Sequence, residues 1–205
     1  GIGMLHKVHV LGNDRSVAVN MYIDGTVTTK TPAGGRLSLA TVTDYPCSGN
    51  VKISVDVDKS ENFEILIRNP YWSKTTTVYV NGQMQSVNEG YISLMREWSK
   101  GDVIEINLDM RTEAIYPVSY GSQVLMNNVM WEYNLVVPTF DVEDPMAKNH
   151  IALRRGPVML AQETRLGYSV DEPVDIAVNE NGYVDIELTN CVQYGNITSY
   201  SDSAG

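Results

Sequence analysis

The stretch FEILIRNPYWSKTTTVYVNGQMQSVNEGYISLMREWSKGDVIEINLDM, residues 63–110, decides the fold class. Phe63, Ile65 and Ile67 alternate with Glu64 and Arg68, and Ile104, Ile106, Leu108 and Met110 alternate with Glu105, Asn107 and Asp109. A two-residue period places the apolar set on one face of an extended chain, so both runs predict half-buried β-strands. Between them, Asn81-Gly82 tolerates the positive φ angles of a two-residue hairpin, which predicts antiparallel pairing of 75–80 with 83–87. Lys100-Gly101-Asp102 supplies a second turn, because glycine reaches backbone angles that side chains forbid. The whole stretch reads as a β-meander.

The same pattern extends outward. Val17, Val19 and Met21 alternate with Ala18, Asn20 and Tyr22 up to Asp24-Gly25. A β-prone threonine run over 26–31 is broken at Pro32-Ala33-Gly34-Gly35, and Leu37 and Leu39 open a strand that runs to the turn at Asp44-Tyr45-Pro46. Val51, Ile53, Val55 and Val57 alternate with Lys52, Ser54, Asp56 and Asp58, the clearest strand in the chain, with one face for water and one for a second sheet. About eight strands between residues 15 and 112, with turns every 8–12 residues, predict an antiparallel sandwich. The segment 118–149 holds Tyr120, Trp131, Tyr133 and Phe140 and an acidic run, and reads as a long connection with its own aromatic anchors. Strand-like runs resume at 151–153, 158–162, 174–178 and 184–188. The expected fold class is therefore all-β, with two antiparallel, jelly-roll-like β-sandwich modules in tandem. The first occupies 15–117 and the second 150–205, whose polar end over 198–205 lacks a closing strand.

The chain has 205 residues, with 15 Lys and Arg against 25 Asp and Glu, a formal net charge of −10 and a pI near 4.7. That balance repels phosphate backbones and anionic lipid, and excludes nucleic acid as a partner. Nowhere do about 18 apolar residues run together, so no membrane span is predicted, and the first residues lack a signal-peptide pattern. Gly1-Ile2-Gly3-Met4 reads as the cut end of a longer protein. Cys47 and Cys191 are the two cysteines; without a C-x-x-C spacing they are expected to be small buried residues, and they leave the compartment open.

Candidate chemistry is sparse. His6 and His9 lack a nearby third ligand and read as surface or interface histidines, and His150 as a surface residue before a strand. Asp141, Glu143 and Asp144 lack the glycine and terminal glutamate of a calcium loop and read as a solvated acidic loop. No particular carboxylate pair is selected for glycosidic chemistry, and no nucleophile elbow or phosphate-cradling loop is present. Aromatic platforms for sugar rings are the remaining option. Tyr71, Trp72, Tyr91 and Trp98 are candidates in the first module, with core packing the expected role; Trp98 falls in phase with Ile92 and Leu94. Trp131, Tyr133 and Phe140 lie outside the strand pattern. The carbohydrate-contact candidates are Tyr71, Trp72, Trp131 and Tyr133. Arg154-Arg155-Gly156-Pro157 is expected to be a bulge or sheet edge whose charges meet water or acids.

DYPCSGNVKISV (44–55), LIRNPYWS (66–73), VYVNGQ (78–83), GYISLMREWSKGD (90–102) and IALRRGPVMLAQE (151–163) resemble the C-terminal β-sandwich region of bacterial glycoside hydrolases related to β-L-arabinofuranosidases. Two features depart from the family: Cys47 stands where a tryptophan usually follows the proline, and the 118–149 connection is long. The resemblance implies an upstream catalytic α/α-barrel in the same polypeptide, carrying a cysteine nucleophile, a glutamate acid/base and a zinc site completed by an adjacent cysteine pair. This chain has no Cys-Cys pair, and residues 1–14 look like a remnant or linker following that barrel. No catalytic residue, metal ligand or cofactor is therefore expected here. The implied role is accessory, with plant-type glycans and a second copy of the chain as further candidate partners and a periplasmic or extracellular setting. Its alternatives are an autonomous carbohydrate-binding module and an oligomerisation domain.

Overall fold

The computed structural model describes residues 8–116, 151–160 and 175–185. Ten strands build a two-sheet sandwich. They are β1 (Val10–Gly12), β2 (Ser16–Val19), β3 (Gly25–Lys30), β4 (Arg36–Thr43), β5 (Asn50–Val57), β6 (Glu61–Asn69), β7 (Thr77–Val80), β8 (Gln83–Met84), β9 (Gly90–Trp98) and β10 (Val103–Asn107). One sheet has the order β1-β2-β6-β9 and the other β3-β4-β5-β10-β7-β8. Most of the alternating residues predicted to be apolar-in do turn inward: Val17, Val19, Phe63, Ile65, Ile67, Ile92 and Leu94 from the first sheet meet Leu37, Leu39, Val51, Ile53, Val55, Val78, Ile104 and Ile106 from the second in one core, but β2 ends at Val19, and beyond it Tyr22 rather than Met21 is buried. Trp98 is fully buried among them and donates its indole N–H to the Phe63 carbonyl at 3.1 Å. A buried indole keeps its polar handle satisfied in this way.

The chain between residues 63 and 110 is not a meander. β6 and β9 pair with each other in the first sheet, whereas β7, β8 and β10 lie in the second, so the chain crosses between sheets after β6, after β8 and after β9. Alternation specifies that one face is buried, but both sheets offer the same buried face, so it does not say which sheet a strand joins. The predicted hairpin does form: Tyr79 pairs with Met84 and Val80 with Gln83 across Asn81-Gly82, and both turn residues have positive φ. A second departure is in the first sheet, where β2 runs parallel to β6 with Val17 opposite Ile65. Among the described residues all other strand pairings are antiparallel.

A third sheet follows, with β11 (Thr112–Ile115), β12 (Ala152–Arg155), β13 (Val158–Leu160) and β14 (Tyr183–Val184) in the order β13-β12-β11-β14. It abuts the sandwich at Gly156, where a Cβ would come within 2.6 Å of the Met110 sulfur and 3.5 Å of the Trp72 ring. Arg154 and Arg155 sit on an inner strand of this sheet rather than at an edge, and Arg154 pairs with Glu113 on neighbouring β11. Pairing with an acid, one of the fates expected for these charges, is thus realised for Arg154. Among the described residues no helix is long and apolar enough to cross a membrane.

Candidate functional site

The most elaborated surface of the sandwich lies where β6 ends. Pro70 stops the strand, and Ser73 N–H donates to the Pro70 carbonyl at 2.9 Å to close a turn. Beneath it, buried hydroxyls form a connected set: Ser73 Oγ and Thr76 Oγ1 are 2.6 Å apart, Thr76 Oγ1 donates to Asn69 Oδ1 at 2.7 Å, and the Asp109 N–H donates to Ser73 Oγ at 2.8 Å. Asn69 Nδ2 donates across to the Asn88 carbonyl at 2.8 Å. Buried polar groups that find partners fix a loop geometry, because leaving them unpaired costs the full desolvation of each group. The rigid turn sends its two aromatics in opposite directions. Tyr71 stands out, 75% exposed, while Trp72 folds in, half-buried, and stacks on Tyr45 with centroids 6.5 Å apart and planes within 14°.

Between this turn and the start of β9 lies a cleft of about 630 Å³ whose lining includes Arg68, Tyr71, Lys74, Asn88, Glu89 and Tyr91. Arg68 and Tyr91 are direct cross-strand partners in the β6–β9 ladder, so both project from the outer face of the first sheet. Tyr91 is 41% exposed, and its hydroxyl donates to Asn20 Oδ1 at 2.5 Å. Gly90 leaves open space above the backbone beside it. On the opposite wall Tyr71 is held from two sides. Arg154 Nη1 donates to its hydroxyl at 2.9 Å with the guanidinium 5.2 Å from the ring centroid, and Lys74 Nζ donates to its carbonyl at 2.9 Å.

Behind the cleft the aromatics serve the core. Tyr22 packs edge-on against Tyr45 with centroids 5.8 Å apart and donates its hydroxyl to the Arg68 carbonyl. Burial pushes the phenols of Tyr22 and Tyr45 above their ordinary value, so both stay neutral. Near the junction with the third sheet Arg111 makes a two-pronged contact with buried Asp109, at 2.9 and 2.6 Å, and lies over the Tyr183 ring at 3.9 Å. Hydrogen bonding to Arg111 draws the Asp109 carboxyl below the usual carboxylate range.

Several sequence expectations change here. Tyr71 and Tyr91 are not core residues: Tyr71 occupies a turn apex, and Tyr91 has the opposite parity to buried Ile92 and Leu94. Trp98 is a core residue, as its phase predicts, and Trp72 spends its ring on Tyr45 and Gly156. Cys47 is exposed instead of buried, because it sits in the turn closed by its own N–H to the Asp44 carbonyl at 2.8 Å. His9, expected at the surface or an interface, is 8% exposed. Trp131, Tyr133, Phe140, the acidic run at 141–144, His6, His150 and Cys191 lie outside the described residues. Among the described residues no group of three or more His, Cys, Asp or Glu side chains converges as a metal site would require. Arg68, Lys74 and Glu89, which line the cleft, were not legible as site residues. The signal available was the polar Asn88-Glu89-Gly90 run facing the NPYW turn.

Residues 16–110 match the family model described as beta-L-arabinofuranosidase, GH127 middle domain. The resemblance drawn from the sequence motifs is thereby shown over this part of the chain, under the description of a middle domain rather than a C-terminal region. Among solved structures, the chain resembles a GH127 beta-L-arabinofuranosidase from Geobacillus stearothermophilus T6 at 22% identity and a TM-score of 0.59, covering 77% of this chain. It also resembles a protein described as a glycoside hydrolase, at 26% identity, TM-score 0.56 and 73% coverage. A third likeness is to a GH127 beta-arabinofuranosidase, at 24% identity, TM-score 0.53 and 73% coverage. The chain spans only 22% of the length of each of these proteins. No curated protein matches it.

Proposed function

We propose that this chain is a non-catalytic accessory β-sandwich region of a glycoside hydrolase of the β-L-arabinofuranosidase kind. The reaction, with its cysteine nucleophile, glutamate and zinc, belongs to a catalytic α/α-barrel elsewhere in the same polypeptide. The observation that carries this reading is the match of residues 16–110 to a domain described as the middle one of such enzymes. The sandwich supports the barrel, shapes one rim of its cleft and offers a face for a dimer. Its buried core residues lie within residues 17–108, and exposed Tyr71 with half-buried Arg154 ties it to the next sheet rather than to a reaction centre.

Two measurements test this. Purified chain incubated with an aryl β-L-arabinofuranoside should release no sugar, and turnover that follows the protein through every purification step would refute the non-catalytic assignment. Deleting the sandwich from the parent polypeptide should lower the melting temperature of the barrel. An unchanged melting temperature with unchanged activity would refute the supporting role.

A further inference from the structure

We infer that the cleft between the 69–74 turn and the start of β9 is a saccharide-binding subsite, which holds a neutral sugar unit against Tyr71 and Tyr91. The inference rests on the reading above only for the choice of sugar. Its volume of about 630 Å³ falls within the range of small-molecule sites and exceeds a single sugar ring.

Sugar recognition needs two things: an aromatic face for the ring's C–H groups and convergent polar groups for its hydroxyls. The tyrosines supply the first. Tyr71 has the Arg154 guanidinium over its ring, and the residue, 75% exposed, lines the cleft. The Arg154 and Lys74 contacts hold the ring in place before any ligand arrives, which reduces the ordering cost of binding. Tyr91 is likewise anchored through its hydroxyl to Asn20.

Arg68, Lys74 and Glu89 supply the second. Arg68 is exposed and lines the cleft, and among the described residues it makes no ion pair with a carboxylate. Glu89 offers a carboxylate that can accept from vicinal hydroxyls. Glu89 offsets one of the two cationic charges in the lining and repels a carboxylate placed beside it. Gly90 leaves the backbone open where a side chain would close the space. Trp72, the other aromatic of the same turn, lines none of this cleft, because its ring is already stacked on Tyr45.

Titration of the full 205-residue chain with arabinobiose, followed by amide chemical shifts and by calorimetry, tests the proposal. Saturable binding between micromolar and low millimolar is expected, with shifts at Arg68, Tyr71 and Gly90. Tyr91→Ala and Arg68→Met should each weaken it at least about tenfold, equivalent to about 1.4 kcal/mol, while keeping the native melting temperature. Tyr71→Phe keeps the stacking face and should bind within about threefold of native. Absence of saturable binding, equal binding by both weakening variants, or tighter binding of galacturonate than of arabinobiose would overturn the proposal. None of these outcomes bears on the turnover and barrel-stability measurements, so a failed subsite and a failed accessory role are separable.

Discussion

Replacing Gly49 by alanine should be among the most damaging single-methyl additions to this sandwich, although its backbone angles are ordinary. Gly49 lies in the turn before β5, and its carbonyl accepts from the Leu108 N–H at 2.9 Å. A Cβ there would lie 2.3 Å from the Leu108 carbonyl oxygen, 2.9 Å from Met110 Cγ and 3.0 Å from the Leu108 carbonyl carbon. A carbon and a carbonyl oxygen are comfortable at about 3.3 Å, so the two backbones must separate by about 1 Å. Overpacking of this kind costs about 1–3 kcal/mol, and loss of the Gly49–Leu108 hydrogen bond adds about 1 kcal/mol. The expected sum, about 2–4 kcal/mol, corresponds to a fall of at least about 8 °C in melting temperature for a domain of this size. Thermal unfolding followed by circular dichroism reads it. Gly101→Ala is the control: Gly101 has φ of +93° with open space around it, so alanine there meets strain alone, about 1–2 kcal/mol. Should Gly49→Ala melt within about 2 °C of native, or Gly101→Ala lose more than Gly49→Ala, close backbone approach is not what reserves position 49 for glycine.

Titrating groups give two further expectations. Because the fold raises the Tyr22 phenol, the unfolded chain releases that proton from about pH 10 while the folded chain keeps it, and stability falls by about 1.4 kcal/mol per pH unit above that point. Tyr22→Phe should make the alkaline limb of a urea-midpoint profile shallower, and parallel limbs would refute the assignment. Asp109 is shifted the other way: its contribution is present above the ordinary aspartate value of about 3.9 and is lost as pH falls through the lower folded value. Asp109→Asn should therefore lose less stability than native between pH 5 and pH 2, and an equal loss in both would show that the Arg111 contact contributes nothing to acid sensitivity.

What the sequence made legible follows from burial on one side. β5 and β6 read cleanly because inward residues such as Ile53 and Ile65 are fully buried while Lys52 and Glu64 meet solvent to different degrees. The Asn81-Gly82 hairpin was legible because its turn geometry is local. Sheet membership was not. Ile67 and Val78 have equivalent local patterns, yet one joins β9 and the other β10, a choice made by packing across the core. At the candidate cleft, the expected place of Tyr91 is the core, although its parity against Ile92 and Leu94 is the signal that places it outward. The orientation of Tyr71 depended on the Ser73–Thr76–Asn69 hydroxyl network and on Arg154, a residue 83 positions away.

The crossing of the chain between its two sheets has a consequence for biosynthesis. β6, an interior strand of the first sheet, needs β9 on one side, and β5 in the second needs β10. Both late partners follow residue 89, after the hairpin has gone to the opposite layer. A chain emerging from the ribosome can thus complete the first sheet only once Trp98 is free and the second only once Asn107 is free. Such long-range pairing places folding in the millisecond-to-second range. A truncation before β9 leaves two unfinished sheets with open hydrogen-bonding edges, a template for aggregation rather than a smaller domain.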